Sequence, residues 1–310
     1  MKTLKDKKFD QLHSQFRREL KLQGKSPKTI DSYSRSLRRL ITYFDRYPDE
    51  LNQEELKLYF SDLVESHSWS TVKVDRWGLR QFWELILKKE WNWPGIVRPP
   101  KVRKLPDVLT VEEVDRIMAA FEKLRYRVCL FTIYSLGLRL SEGINLKVQD
   151  IDSARNLVHI RNATKYGKDR LVPLPEQTLY LLRKYWVTHR NPDLLFPAAH
   201  LSDGKKKRTH RPMDKGGVQT AMKIALRDCN IHKKASVHTL RHSYATHLME
   251  AGVNLRLIQE YLGHANINTT TIYARLSKPS LAGSEQLIRK LMKRFKFIKR
   301  KSLFISESDE

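Results

Sequence analysis

Across residues 1–92, apolar side chains recur at three- and four-residue steps, and the two-residue alternation of a strand is absent. Ser26 and Pro27 form the N-cap and first position of a helix. Ile30, Tyr33, Leu37, Leu40, Ile41 and Phe44 then line one face of it. A second stripe, Leu56, Phe60 and Leu63, follows Asn52 as its cap, and Ser70 to Lys89 reads as one longer helix carrying Trp77 and Trp83. We read Trp69, Trp77, Trp83, Trp91 and Trp93 as core packing rather than platforms for stacked bases, because rings of this size bury large areas. From residue 93 to 106 the pattern stops. Pro94, Pro99, Pro100 and Pro106 forbid regular structure, and Arg98, Lys101, Arg103 and Lys104 face no acid, so this stretch is a basic linker.

Helical periodicity returns at Thr110, where Thr110 and Glu113 have the spacing of a capping box. An apolar helix follows from Tyr126 to Leu136. Asn156 to Ile160 and Arg170 to Leu174 read as short strands around a turn at Lys165 to Asp169. Further helices are expected at Glu176 to Trp186, Lys215 to Cys229, His238 to Ala251 and Asn254 to Leu262, the last closed by Gly263 as a left-handed cap. Beyond the breakers from Pro279 to Gly283, Leu287, Ile288, Leu291, Phe295 and Ile298 form an apolar stripe among Arg289, Lys290, Lys293, Arg294 and Lys296. Such a stripe needs a partner, either its own domain or a neighbouring protomer. The fold class is therefore mainly α with a small β-sheet, divided into a helical domain (1–92), a linker (93–106), a second domain (107–283) and a basic C-terminal helix and tail (284–310).

Composition narrows the function. The 310 residues hold 40% hydrophobic side chains, and 59 Lys and Arg against 34 Asp and Glu give a formal net charge of +25, which points to a polyanionic partner. Nucleic acid is favoured over membrane, because the longest apolar run, Val128 to Leu138, is too short to span a bilayer. Met1 to Asp10 has no apolar core of a secretory signal, and the two cysteines, Cys129 and Cys229, suggest neither a disulfide framework nor a zinc site. A cytoplasmic, nucleoid-associated protein is expected. Two basic stretches are candidate phosphate contacts: Lys101, Arg103 and Lys104 in the linker, and Lys205, Lys206, Lys207 and Arg208 in a loop.

Four separated segments carry the chemistry. They are Gly137 to Glu142 (Gly-Leu-Arg-Leu-Ser-Glu), Thr164 to Leu174 with Lys165, His238 to His247 with Arg241, and Leu262-Gly263-His264 followed nine residues later by Tyr273. In this order they resemble the tyrosine recombinase (phage integrase) family. The resemblance spans both domains and is strongest from Leu136 onward. Departures are small: Ser135 and Leu136 precede Gly137 where the family commonly has threonine, and Gly143 replaces a bulky residue. Neither removes a reacting group.

The resemblance implies a helical core-binding domain followed by an α+β catalytic domain, with Tyr273 as the nucleophile that forms a covalent 3′-phosphotyrosine. The residue types fit that reaction. Charge builds on non-bridging phosphate oxygens, and arginine forks such as Arg139 and Arg241 match them while keeping their own charge. His238 and Arg241, three residues apart, share a helix face; His264 adds a third donor. His238 is the candidate base for the tyrosine proton, and Lys165 the candidate acid for the leaving 5′ oxygen, with Lys168 as its alternative. Glu142 would orient the arginines from behind, Arg170 is read as structural, and His242 and His247 as non-catalytic. These cations supply the charge that magnesium brings to metal nucleases, so neither metal nor cofactor is expected.

As partners the resemblance implies double-stranded DNA with paired inverted half-sites and a tetramer of this chain resolving a Holliday junction. The C-terminal segment would preferentially be exchanged between protomers. Because the helical lobe begins so early, a compact enzyme without accessory arm sites is expected. Two alternatives stay open: a type IB topoisomerase, and a DNA-binding protein without activity.

Overall fold

The computed structural model describes residues 4–91, 107–161, 169–198, 210–263 and 284–295. The linker, Lys165, His264, Tyr273 and the basic residues Lys101, Arg103, Lys104, Lys205, Lys206, Lys207 and Arg208 lie outside that set. The chain divides into two compact units, Met1–Arg103 and Lys104–Glu310.

In the first unit α1 (Leu4–Leu22), α2 (Pro27–Phe44), α3 (Gln53–Ser66) and α4 (Trp69–Phe82) surround a core that includes Phe16, Leu37, Leu40, Leu56, Phe60, Leu79 and Phe82. The starts of these helices are encoded locally. The Ser26 side chain accepts from the Thr29 amide, and Asn52 and Glu55 exchange side-chain and backbone bonds as a complete capping box. The helix expected from Ser70 to Lys89 begins one residue earlier, capped by Ser68, and changes to a π-helical turn at Trp83–Leu87. Trp77 corrects our reading of the tryptophans: it is 53% exposed, with the Arg80 guanidinium 5.5 Å above its ring. Trp83 is buried, and Trp69 and Trp91 pack against the core. Asp75 of α4 is fully buried and accepts from Ser36 Oγ (2.7 Å), Arg39 Nε (2.9 Å) and the Tyr59 hydroxyl (3.0 Å), so one carboxylate joins α2, α3 and α4.

The second unit is built around α6 (Leu124–Ser135), whose residues from Arg127 to Ser135 are all buried. A helix apolar on every side belongs in the middle of a core, and α5 (Val111–Ala120), α8 (Glu176–His189), α9 (Lys215–Asp228) and α10 (Val237–Glu250) pack around it. Arg127 is the buried exception. Its Nε donates to the Met118 carbonyl at 3.0 Å and its Nη2 to that of Phe121, which satisfies the open end of α5. Three antiparallel strands, β1 (Ile151–Asp152), β2 (Leu157–Ile160) and β3 (Arg170–Pro173), lie in the order β1-β2-β3 with Val158 opposite Val172 and Ile160 opposite Arg170. The two-residue β1 and the five-residue α7 (Leu140–Ile144) have too little periodicity to show in the sequence. Between β3 and the chain's C-terminal part, α11 (Leu255–Leu262) packs on the strand.

Helix α12 (Ser284–Met292) lies on α10 of its own chain, where Ile288, Leu291, Met292 and the following Phe295 are buried. Phe295 meets Phe131 and Tyr134 edge-on at 5.4 and 5.3 Å. No helix among the described residues is long and apolar enough to cross a membrane.

Candidate active site

The chain leaves α6 through Gly137, which adopts φ +61° between α10 and α11. A Cβ there would come within 2.7 Å of both Leu262 Cδ2 and Tyr244 Cδ1, so this turn accepts only glycine. It delivers Arg139 to the start of α7, where Glu142 reaches back: Oε2 accepts from the Arg139 amide at 2.8 Å and Oε1 from Arg139 Nη1 at 2.7 Å. Arg170, the first residue of β3, donates Nη1 to Oε1 at 3.2 Å and Nη2 to Oε2 at 2.9 Å. Arg241 Nη1 stands 3.7 Å from Oε2. Burial pushes the Glu142 carboxyl up, but the hydrogen bonds and charge of Arg170, with the hydrogen bonds of Arg139, outweigh it and bring the pKa to about 2. Glu142 is thus a permanent buried anion beneath three guanidinium groups.

Arg241 is 2% exposed, with Nη1 donating to the Gly137 carbonyl at 2.8 Å and Nη2 to that of Leu262 at 2.6 Å. Arg139 is the accessible member of the pair, one-third exposed, and its Nη2 reaches the Gly263 carbonyl at 3.4 Å. One turn before Arg241, His238 stands at the surface with its ring edge-on to His242 at 4.6 Å. Desolvation lowers its pKa, and the positive charges of Arg241 and Arg139 lower it further. A neutral imidazole at physiological pH follows.

The structure therefore brings Arg139, Glu142, His238 and Arg241 together, although they come from two distant segments. It adds Arg170 as a full member. Its sequence position, within the segment of Lys165, was the available signal, but the partners that define its role lie in other segments. Gly263 ends α11 as a left-handed cap (φ +63°), as expected. His247 is buried with Nδ1 bonded to the Tyr134 hydroxyl at 2.8 Å, and its pKa, like that of His242, is pushed down to about 4. Tyr244 and Tyr261 are the tyrosines nearest in sequence that could rival Tyr273 as nucleophile, and Tyr244 is fully buried. Among the described residues no three His, Cys, Asp or Glu side chains converge in a group that could hold a metal ion.

The chain is similar to known proteins across both units. The pattern of the phage integrase family matches residues 107–279, and that of the phage integrase N-terminal SAM-like domain matches residues 12–93. A tyrosine recombinase XerD of Oceanobacillus iheyensis is 33% identical over 274 residues, covering 83% of this chain and 91% of its own length. A tyrosine recombinase XerA of Thermococcus kodakarensis is 32% identical over 291 residues, covering 90% and 96%. Among solved structures, a lambda integrase dimer bound to a COC′ core site matches with a TM-score of 0.68 at 17% identity over 88% of this chain and 99% of that one, a likeness of fold. A helical SAM-like unit followed by a mostly helical unit with a small sheet, its arginines gathered on one carboxylate, belongs to the phage integrase family of tyrosine recombinases, enzymes that cut and rejoin DNA.

Proposed function

We propose that the chain recombines paired DNA sites through a phosphotyrosine on Tyr273, with Arg139, Lys165, His238, Arg241 and His264 as the reacting set and Glu142 behind them. The observation that carries this is the convergence of Arg139 and Arg241 on one buried carboxylate, with His238 within reach of the charges of both arginines. In the first step the Tyr273 oxygen attacks phosphorus, its proton passes to His238, and the bond to the 5′ oxygen breaks as Lys165 supplies that oxygen with a proton. The guanidinium charge of Arg139, backed by Arg241, stabilises the oxygens that become more negative. Reversing the step with another strand's 5′ hydroxyl reseals the DNA without ATP, because the phosphotyrosine ester conserves the bond energy.

Double-stranded DNA with inverted half-sites, a tetramer of this chain and a Holliday junction complete the proposal, with a mobile element as its setting, the cytoplasmic nucleoid as its location, and the basic residues of the linker and the 205–208 loop on phosphates. The net charge of +25 supports such a partner. The C-terminal segment would pass between protomers in that assembly, using on a neighbour the apolar contacts that α12 makes here on its own unit.

The test uses a pool of duplexes with randomised centres and random nicks. The wild-type protein is expected to become covalently attached to a subset, seen as a shifted band on a denaturing gel, with EDTA present or absent. Tyr273→Phe is expected to bind DNA but give no adduct. An adduct in that variant, or one abolished by EDTA and restored by magnesium, would overturn the assignment.

A further inference from the structure

Arg170 sits where three pieces of the catalytic unit meet. Its side chain is 10% exposed and pairs in parallel with both oxygens of Glu142 at 3.2 and 2.9 Å. Its Nε donates to the carbonyl of Tyr261 at 2.7 Å, near the end of α11. The stem fills the space beside Gly263, where a Cβ would come within 3.0 Å of Arg170 Cδ and 3.1 Å of Nη1. One side chain thus ties β3 to the α7 carboxylate and to the turn from which the chain continues to residue 264.

We propose that Arg170 is a positioning residue for strand cleavage, an inference that rests on the reaction proposed above. It neutralises Glu142 and fixes the end of α11 against the arginine pair. Glu142 is needed to hold Arg139, yet its negative charge opposes the attraction of a phosphate. One carboxylate against Arg139, Arg170 and Arg241 leaves two net positive charges in the cluster; without Arg170 one remains, and Arg139 is drawn inward to serve the carboxylate. Lysine could restore the charge but not two parallel bonds with a third to Tyr261, because its ammonium lacks the planar fork.

The substrate for the test is the duplex that the wild-type protein selects covalently from the nicked pool. Single-turnover cleavage at saturating protein, DNA affinity and thermal midpoint are measured together. Arg170→Met is expected to slow cleavage on the order of 10- to 100-fold while DNA affinity changes far less. Adding Glu142→Gln to Arg170→Met returns the cluster to two net positive charges and keeps an acceptor for Arg139, so the part of the loss caused by the unneutralised carboxylate is expected back, while the part caused by the lost bond to Tyr261 is not. Arg170→Lys falls between, and it carries the test if Arg170→Met does not fold. A double variant no faster than Arg170→Met, an Arg170→Lys protein at the wild-type rate, or a loss confined to affinity would overturn the inference. Absence of any wild-type adduct would instead sink the proposed reaction itself, so the two failures are distinguishable.

Discussion

A histidine that is to take a proton from a phenol has to be neutral when the substrate arrives, and His238 is kept so by desolvation and by the arginines beside it. The sign of the pH effect follows. As pH rises through the His238 pKa the base becomes available, so the rate of adduct formation should climb along a limb below the ordinary imidazole value of 6.5 and level off before neutrality. His238→Gln should flatten that limb and slow the plateau by roughly 100-fold or more. A pH–rate profile of single-turnover cleavage decides it; a limb that survives the substitution assigns the base elsewhere. Residues of this kind are legible from sequence because motif order and the three-residue spacing of His238 and Arg241 survive without coordinates. Arg170 is not, since its partners Glu142 and Tyr261 lie 28 and 91 residues away and nothing local marks a guanidinium as shared.

Helix starts were readable where a short polar side chain closes its own turn. Asn52 with Glu55, and Thr110 with Glu113, form the reciprocal bonds their spacing predicts. Burial was harder, because periodicity tells which residues share a face and not whether a neighbour covers it. Trp77 lies in a helix as expected but on its open side, and the break in α4 at Trp83 has no proline or glycine to announce it. Asp75 would pass for a surface acid on the same grounds, yet it is buried under donors from α2 and α3. Asp75→Ala leaves the Tyr59 hydroxyl without its acceptor and the Arg39 guanidinium without its carboxylate, and is expected to destabilise the helical unit by about 3–5 kcal/mol. Five of the six tryptophans fall within residues 1–93, so urea unfolding followed by tryptophan fluorescence reports mainly on that unit. A change below about 1 kcal/mol would mean that water replaces the carboxylate.

Two units of one basic chain would give a binding energy dominated by phosphate contacts. Affinity for the selected duplex should then fall steeply with salt, each contact adding about −0.9 to the log–log slope. Removing residues 284–310 takes away eight Lys and Arg side chains with the apolar stripe; it should reduce that slope modestly and abolish cooperative filling of a two-arm site. Gel-shift titrations that remain cooperative would reject exchange of this segment between protomers. The division into helical and mixed units could be read from the proline-rich break and from the strand-like residues after 155, whereas the packing of α12 on its own chain could not, because a stripe looks the same whoever covers it. The bonds of Arg241 reach back 104 residues to Gly137 and forward 21 to Leu262. A ribosome delivers Arg139 long before Arg241, and both before the turn at Leu262 that holds them in place. A half-made copy therefore lacks the gathered arginine pair, and the proposed cleavage waits until the chain has been made past Leu262.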